Sequence, residues 1–224
     1  MKNRIKIYYI IFAIGIFALT TVGATYAYWT SSASSTNNSI TTNSTGYSIN
    51  MTIKPLYHGF SFIPMNDDDV VKAITKECKD KYDRGACSAY LIDVFGYSEG
   101  LDIISGTING ITNIENLSYV IMSPKLENED EKKCTSIEID NETKEYCIYT
   151  PYYKFDGTEQ IMIESYNVSN ASSVQFILIV WLHNEDRSQN NESIGSFTAS
   201  VTIAAGAGGR IQGVISDAIE IEKS

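Results

Sequence analysis

Four cysteines, Cys78, Cys87, Cys134 and Cys147, are the residues in this sequence whose type and spacing most directly imply chemistry. Thiols outside the cytosol pair into disulfides, whereas ionised thiolates in a closed cluster ligate zinc. Three pairings are possible, and Cys78–Cys87 with Cys134–Cys147 closes the shortest loops. The second pair brackets Thr135–Tyr146, where Ile137-Glu138-Ile139 and Tyr146–Tyr149 flank Asp140-Asn141-Glu142-Thr143. That is the pattern of a β-hairpin, which brings its two ends together. The rival is a zinc site built from all four thiolates. Spacings of nine and thirteen residues contain no CxxC element, so disulfides are the expectation.

Catalytic constellations are otherwise scarce. His58 and His183 are far apart, and neither sits in HExxH or HxH. His183 follows the apolar run Phe176–Leu182 and marks where a strand emerges into water. Asp67-Asp68-Asp69 reads as the acidic start of a helix, with a calcium site as the alternative if a loop supplies further oxygens. Asp80–Gly85 lacks the acidic alternation of an EF-hand and reads as the turn between Cys78 and Cys87. Tyr149, Tyr152 and Tyr153 offer either a glycan-stacking surface or a loop packed on a sheet edge, and packing is the simpler reading. No catalytic residue, metal ligand or cofactor site is therefore assigned, and no enzyme activity is expected.

The elements that must position these residues are mostly strands. Ile outnumbers Leu by 31 to 8 in 224 residues. Tyr47–Ile53 alternates, with Tyr47, Ile49, Met51 and Ile53 on one face. Further candidates are Phe60–Pro64, Ser88–Tyr97, Leu101–Ile108, Leu117–Ser123, Gln160–Asn167, Val174–His183, Gly195–Ile203 and Ile211–Ile215. Phe176–Leu182 is apolar throughout, as for a strand buried on both faces. One helix interrupts them, capped by Asn66 and carrying Val70, Val71 and Ile74 as its apolar stripe. The sum is an all-β chain, an antiparallel β-sandwich or jelly roll with one short inserted helix.

Compartment is written at the amino terminus. Lys2, Arg4 and Lys6 precede an apolar run, Ile7–Leu19, and a small-residue stretch ending Ala24-Thr25-Tyr26-Ala27. This is the layout of a secretory signal peptide, with cleavage between Ala27 and Tyr28. The alternative is an uncleaved single-pass anchor over Ile5–Ala27, with the basic end held inside. Either way the remainder is exported. A net charge of −10, from 17 Lys+Arg against 27 Asp+Glu, argues against nucleic acid. The expected organisation is residues 1–27 as signal peptide or membrane anchor, 28–46 as a Ser/Thr/Asn-rich arm, 47–217 as the sandwich, and 218–224 as a polar tail.

The segment Gly23-Ala24-Thr25-Tyr26-Ala27-Tyr28-Trp29 resembles the leaders processed by the signal peptidase SipW of Gram-positive bacteria. The mature part, with Cys87-Ser88-Ala89-Tyr90, Asn116-Leu117-Ser118-Tyr119, Trp181-Leu182, Gly195-Ser196-Phe197-Thr198 and Gly213-Val214-Ile215, is similar to exported TasA/camelysin-like proteins. That resemblance implies a secreted surface or biofilm-matrix protein, with a SipW-type peptidase acting during export. It also implies homo-oligomers or matrix partners. The four cysteines and shorter body depart from TasA. Two further readings remain: a monomeric surface-displayed module binding polysaccharide or a host protein, and a camelysin-like protease, for which no zinc motif is present. Self-association is expected to run through the arm, which would donate the strand bearing Ile49, Met51 and Ile53 to a neighbour. Pairing of that strand within its own domain is the alternative. Mass spectrometry of the exported chain is expected to read a start at Tyr28. Intact Met1–Ala27 would make it an anchored ectodomain instead.

Overall fold

Thirteen strands and one short helix make up the described part of the chain, and their pairing defines two stacked sheets. The computed structural model describes residues 38–43, 48–59, 61–96, 103–125, 134–168, 172–184, 194–205 and 209–221. The expected leader and its cleavage point at Ala27 and Tyr28 lie outside these residues, as does most of the arm. The strands are β1 (Asn38–Asn43), β2 (Ser48–Tyr57), β3 (Ser61–Phe62), β4 (Cys87–Phe95), β5 (Ile103–Thr112), β6 (Leu117–Pro124) and β7 (Cys134–Ile139). They continue with β8 (Glu142–Ile148), β9 (Tyr153–Lys154), β10 (Asp156–Asn167), β11 (Ser173–Leu182), β12 (Ile194–Ala205) and β13 (Gly209–Ile221). An eight-stranded sheet runs β1-β2-β4-β11-β6-β8-β7, with β9 also on β6, and a five-stranded sheet runs β10-β5-β12-β13-β3. All pairs are antiparallel except the short β13–β3 contact. The fold is an antiparallel β-sandwich with one short inserted helix.

Period-two alternation fills the space between the sheets. From the five-stranded sheet, Phe197, Ala199, Val201 and Ile203 of β12 and Ile211, Ile215 and Ile219 of β13 point inward. The eight-stranded sheet answers with Ile49, Met51 and Ile53 of β2, Tyr90, Ile92 and Val94 of β4, and Phe176, Leu178 and Val180 of β11. At Gly213 a Cβ would lie 2.7 Å from Ile53 Cδ1 and 2.9 Å from Met51 Cε, so a larger residue there would push these side-chain ends out of place. The side chains expected to enter a neighbour are thus seated in this chain's own core. β2 is paired on both sides, by β1 and by β4.

A second core lies on the opposite face of the eight-stranded sheet. It takes Leu91 of β4, Val120 and Met122 of β6, and Ile177, Ile179 and Trp181 of β11, all 0% exposed. Two elements cover it. One is a 3-10 turn, Asp67–Asp69, running into helix α1 (Val70–Ile74), which brings Val70, Ala73 and Ile74. The other is the β7–β8 hairpin, which brings Ile137, Ile139 and Tyr146. The hairpin pairs with β6 only through Tyr146–Ile148, yet Asp140 at its tip reaches Lys54 Nζ of β2 at 3.1 Å. Since β4, β11 and β6 separate β2 from β8, the hairpin must fold back across the sheet. This accounts for the unbroken apolar run of β11.

Several expectations need correction. Asn66 has the extended backbone of an N-cap, but its side chain accepts from Asn184 Nδ2 at 3.1 Å and caps nothing. Val71 is half-exposed, and Ala73 takes its place in the stripe. Residues 38–43 of the expected arm form β1, and β13 continues past residue 217 into the expected polar tail, with Ile219 buried. Only two residues of the Phe60–Pro64 candidate are strand. Among the described residues no helix is long and apolar enough to cross a membrane. Burial on both faces sets an expectation: Ile179→Ala should cost about 2–5 kcal/mol of unfolding free energy, as for an inward core residue. Ile103→Ala, at a 49% exposed position, should stay within about 0.5 kcal/mol. Urea titration distinguishes them, and equal small losses would mean that the outer face is not a core.

Candidate binding groove

Both disulfides close within the cover. Cys78–Cys87 ties the end of the helical segment to the start of β4, and Cys134–Cys147 joins directly opposed residues of β7 and β8. With every sulfur in a disulfide, no thiolate is left for zinc. Closing loops this short stabilises the fold by roughly 2–3 kcal/mol each. Glu77 and Cys78 have φ of 55° and 61°, a left-handed pair that stops the helix without glycine. The Cys78 amide donates to Ala73 O at 2.9 Å across this stop. Two disulfides mark a domain that folds outside the reducing cytosol.

The loop between Cys78 and Cys87 is built around one carboxylate. Asp80 Oδ1 accepts from the amides of Tyr82 and Arg84 at 2.8 and 2.9 Å, while Oδ2 takes a two-pronged contact from Arg84 Nε and Nη2 at 3.0 and 2.8 Å. Desolvation pushes the Asp80 carboxyl up, but these hydrogen bonds outweigh it and hold the pKa below the ordinary value. A Cβ at Gly85 would sit 2.2 Å from Ser61 O, so the loop returns against the β3 segment where only glycine fits. Between this loop, α1 and the segments 63–66 and 184 lies a groove of about 340 Å³. Its floor is apolar, with Ile63, Met65, Ala73 and Ala86. Its rim is cationic, with Lys72, Lys76, Lys79, Lys81 and Arg84. Asn66 and Asn184 also line it, and Asn184 Nδ2 donates to Asn66 Oδ1 at 3.1 Å.

His183 sits beside this groove rather than in it. Its Nδ1 lies 2.8 Å from Asp67 Oδ1, tying the 3-10 turn to the end of β11, and the ring is about one-third exposed. Asp69 pairs with Lys72 at 2.9 Å. Two carboxylates of the suspected calcium triplet are therefore spent on local partners, and among the described residues no three His, Cys, Asp or Glu side chains converge as for a metal. Tyr149 and Tyr153 pack against the inner core, Tyr153 with its ring 5.5 Å from that of Tyr119. Tyr152 stands edge-on to Trp181 at 5.5 Å. These tyrosines are packing residues.

One polar cluster lies inside the sandwich. Asp217 of β13 is 3% exposed; its Oδ2 meets His58 Nε2 at 2.8 Å and accepts from the Tyr90 hydroxyl, while its Oδ1 accepts from the Ala218 amide at 2.8 Å. Tyr90 belongs to β4 and Asp217 to β13, so the cluster bridges the two sheets. Burial and the adjacent Asp217 carboxylate push the Tyr90 hydroxyl well up, which disqualifies it as a base at neutral pH. Tyr90 itself is fully buried and its ring meets Phe197 edge-on at 6.1 Å, leaving no room for a reactant. The arrangement is a clamp. Sequence reading missed it because 127 residues separate Tyr90 from Asp217. The available signal was an acid in the inward register of Ile211, Gly213, Ile215 and Ile219. The groove was likewise missed, although Lys72, Lys76, Lys79 and Lys81 crowd into ten residues of sequence.

The chain is thus a β-sandwich with a disulfide-bound cover on one face. A scan against protein-family models gives no match, and a search of curated proteins gives none either. Among solved structures, a cohesin module from a Clostridium perfringens family 33 glycoside hydrolase is similar at 12% identity and TM-score 0.29, over 78% of this chain and 96% of that one. AvmM, which catalyses macrocyclization in alchivemycin A biosynthesis, is similar at 11% identity and TM-score 0.32, over 84% and 98%. The collagen-binding subdomain of the Enterococcus faecalis surface protein ACE gives 7% and 0.22, over 61% and 89%. Likeness at this level carries no argument about function.

The clamp yields a pH expectation. The hydrogen bond to Asp217 raises the His58 pKa above its ordinary 6.5, against the opposing effect of burial. Its stabilisation is complete below the unfolded value and is lost as pH rises through the raised folded value. The urea midpoint should fall over that window in the native chain and lose this fall in His58→Gln. An unchanged slope in the variant would assign the pH dependence elsewhere.

Proposed function

We propose that this chain is an exported, surface-displayed module that works by binding, with the groove between α1 and the Cys78–Cys87 loop as its site. The observation that carries this reading is the groove's construction: an apolar floor and charged rim on a loop fixed by a disulfide, the Asp80 hub and the Gly85 close approach. Such preorganisation lowers the ordering cost of binding. The leader, with its resemblance to SipW-processed segments, supports delivery to the cell surface or matrix, cleaved after Ala27 or kept as an anchor. The test is cosedimentation of the purified exported chain with isolated envelope and matrix material. Retention by the native chain, with loss in Tyr82→Ala at unchanged melting temperature, is expected. Retention unaffected by groove substitutions would move the site elsewhere.

A second reading, a self-associating matrix protein, is favoured by one observation. β1 is the terminal strand of the eight-stranded sheet, contributed by the Ser/Thr/Asn-rich arm and covering the edge of β2. Exchange of β1 between copies would link sandwiches through backbone hydrogen bonds. Light scattering of the exported chain against one starting at Tyr47 separates the readings. Oligomers dependent on the arm support exchange; monomers from both support the displayed module alone.

A further inference from the structure

We infer that the groove takes an acidic glycan, a short stretch of sugar units bearing carboxylate or phosphate; this rests on the binding reading above. The first ground is local charge. In a chain of net charge −10, the groove rim brings together five cations. Lys72, Lys79 and Arg84 are held by Asp69, Asp83 and Asp80 at 2.9, 3.0 and 2.8 Å. Among the described residues Lys76 and Lys81 have no carboxylate within ion-pair distance. They stand at the rim as cations that an anionic ligand can use, and a neutral one cannot.

The second ground is Tyr82. It is 66% exposed and lines the groove rim, where a ligand can reach it. The ring is not loose: the loop's Asp80 hub accepts its backbone amide, and Lys81 Nζ and the Arg84 guanidinium lie 4.8 and 5.2 Å from its centroid. Because Lys81 Nζ lies over the ring, an acidic sugar draws that ammonium onto its own charged group and stacks its C–H face on the tyrosine in its place. The third ground is the paired Asn66 and Asn184 in the lining, whose remaining amide groups offer donors and acceptors for hydroxyl groups. An acidic peptide would use the cations but has no need of the exposed ring. The volume of about 340 Å³ sits at the lower end of ligand sites, as for a short segment of a longer polymer.

The experiment is calorimetric or NMR titration of the intact exported chain with four length-matched probes: oligogalacturonate, a phosphomannan fragment, neutral mannan and oligoglutamate. Binding of the oligogalacturonate or the phosphomannan, with little or none of the other two, is expected; which of the pair binds identifies the acid. Lys76→Glu should weaken that binding about tenfold, and raising the salt should weaken it in the native chain. Tyr82→Ala should abolish it, whereas Tyr82→Trp should retain it, at unchanged melting temperatures. Equal affinity for neutral mannan would overturn the charge inference while leaving the groove as a binding site. Preference for oligoglutamate would overturn the glycan in favour of an acidic peptide. Acidic-glycan binding indifferent to both Lys76→Glu and Tyr82→Ala would overturn the groove itself. No binding of any probe, in a chain that still cosediments with envelopes, would overturn the acidic glycan but not the binding module.

Discussion

The outer face of the eight-stranded sheet is as apolar as its inner face, and the rest of the molecule is arranged around covering it. Leu91, Ile177, Ile179 and Trp181 on that face are fully buried. Leaving each in water would cost roughly 1.5–3 kcal/mol. The available covers are weak on their own. A five-residue helix does not hold itself together, and a lone hairpin is marginal in water. Each is closed by its own disulfide, and each spends its apolar residues on the sheet. The groove follows from this construction, because the loop from α1 back to β4 must turn sharply and is wired through Asp80 to do so.

Inside the sandwich the main departure from hydrocarbon is Asp217. A carboxylate held there needs donors, and it has them from the Ala218 amide, the Tyr90 hydroxyl and His58. Removing one partner would leave charge stranded, which costs more than the pair contributes when intact. The cluster also fixes the relative position of β4 and β13, which a purely apolar contact would leave free to slide. The two sheets are thus joined by directional bonds at one point and by volume everywhere else. The loop-side chemistry is displayed on the cover, and the clamp is kept away from it.

Much of the scaffold was legible in sequence. Alternation marked β2, the Asp140-Asn141 turn marked the hairpin, and in the structure both turn residues take the positive φ that a tight hairpin needs. The apolar run Phe176–Leu182 correctly signalled burial on both faces. What it did not reveal was the cover, because a run of apolar residues is silent about what lies on either side. The end of β13 was placed too early since Asp217 breaks the apolar pattern, and only the distant Tyr90 and His58 make an acid acceptable there. The groove escaped because its lysines, its tyrosine and its floor come from segments whose approach depends on the Cys78–Cys87 bond and on Gly85.

The central claim is that the sandwich stands by itself and the groove belongs to a disulfide-held cover. Amide hydrogen exchange, read by mass spectrometry on the native chain and on a Cys78→Ser/Cys87→Ser double variant, tests it most directly. The account predicts that protection in residues 70–86 falls steeply in the variant while β5, β12 and β13 keep theirs. Collapse of protection in those strands together with the cover, or a segment 70–86 as protected as in the native chain, would contradict it.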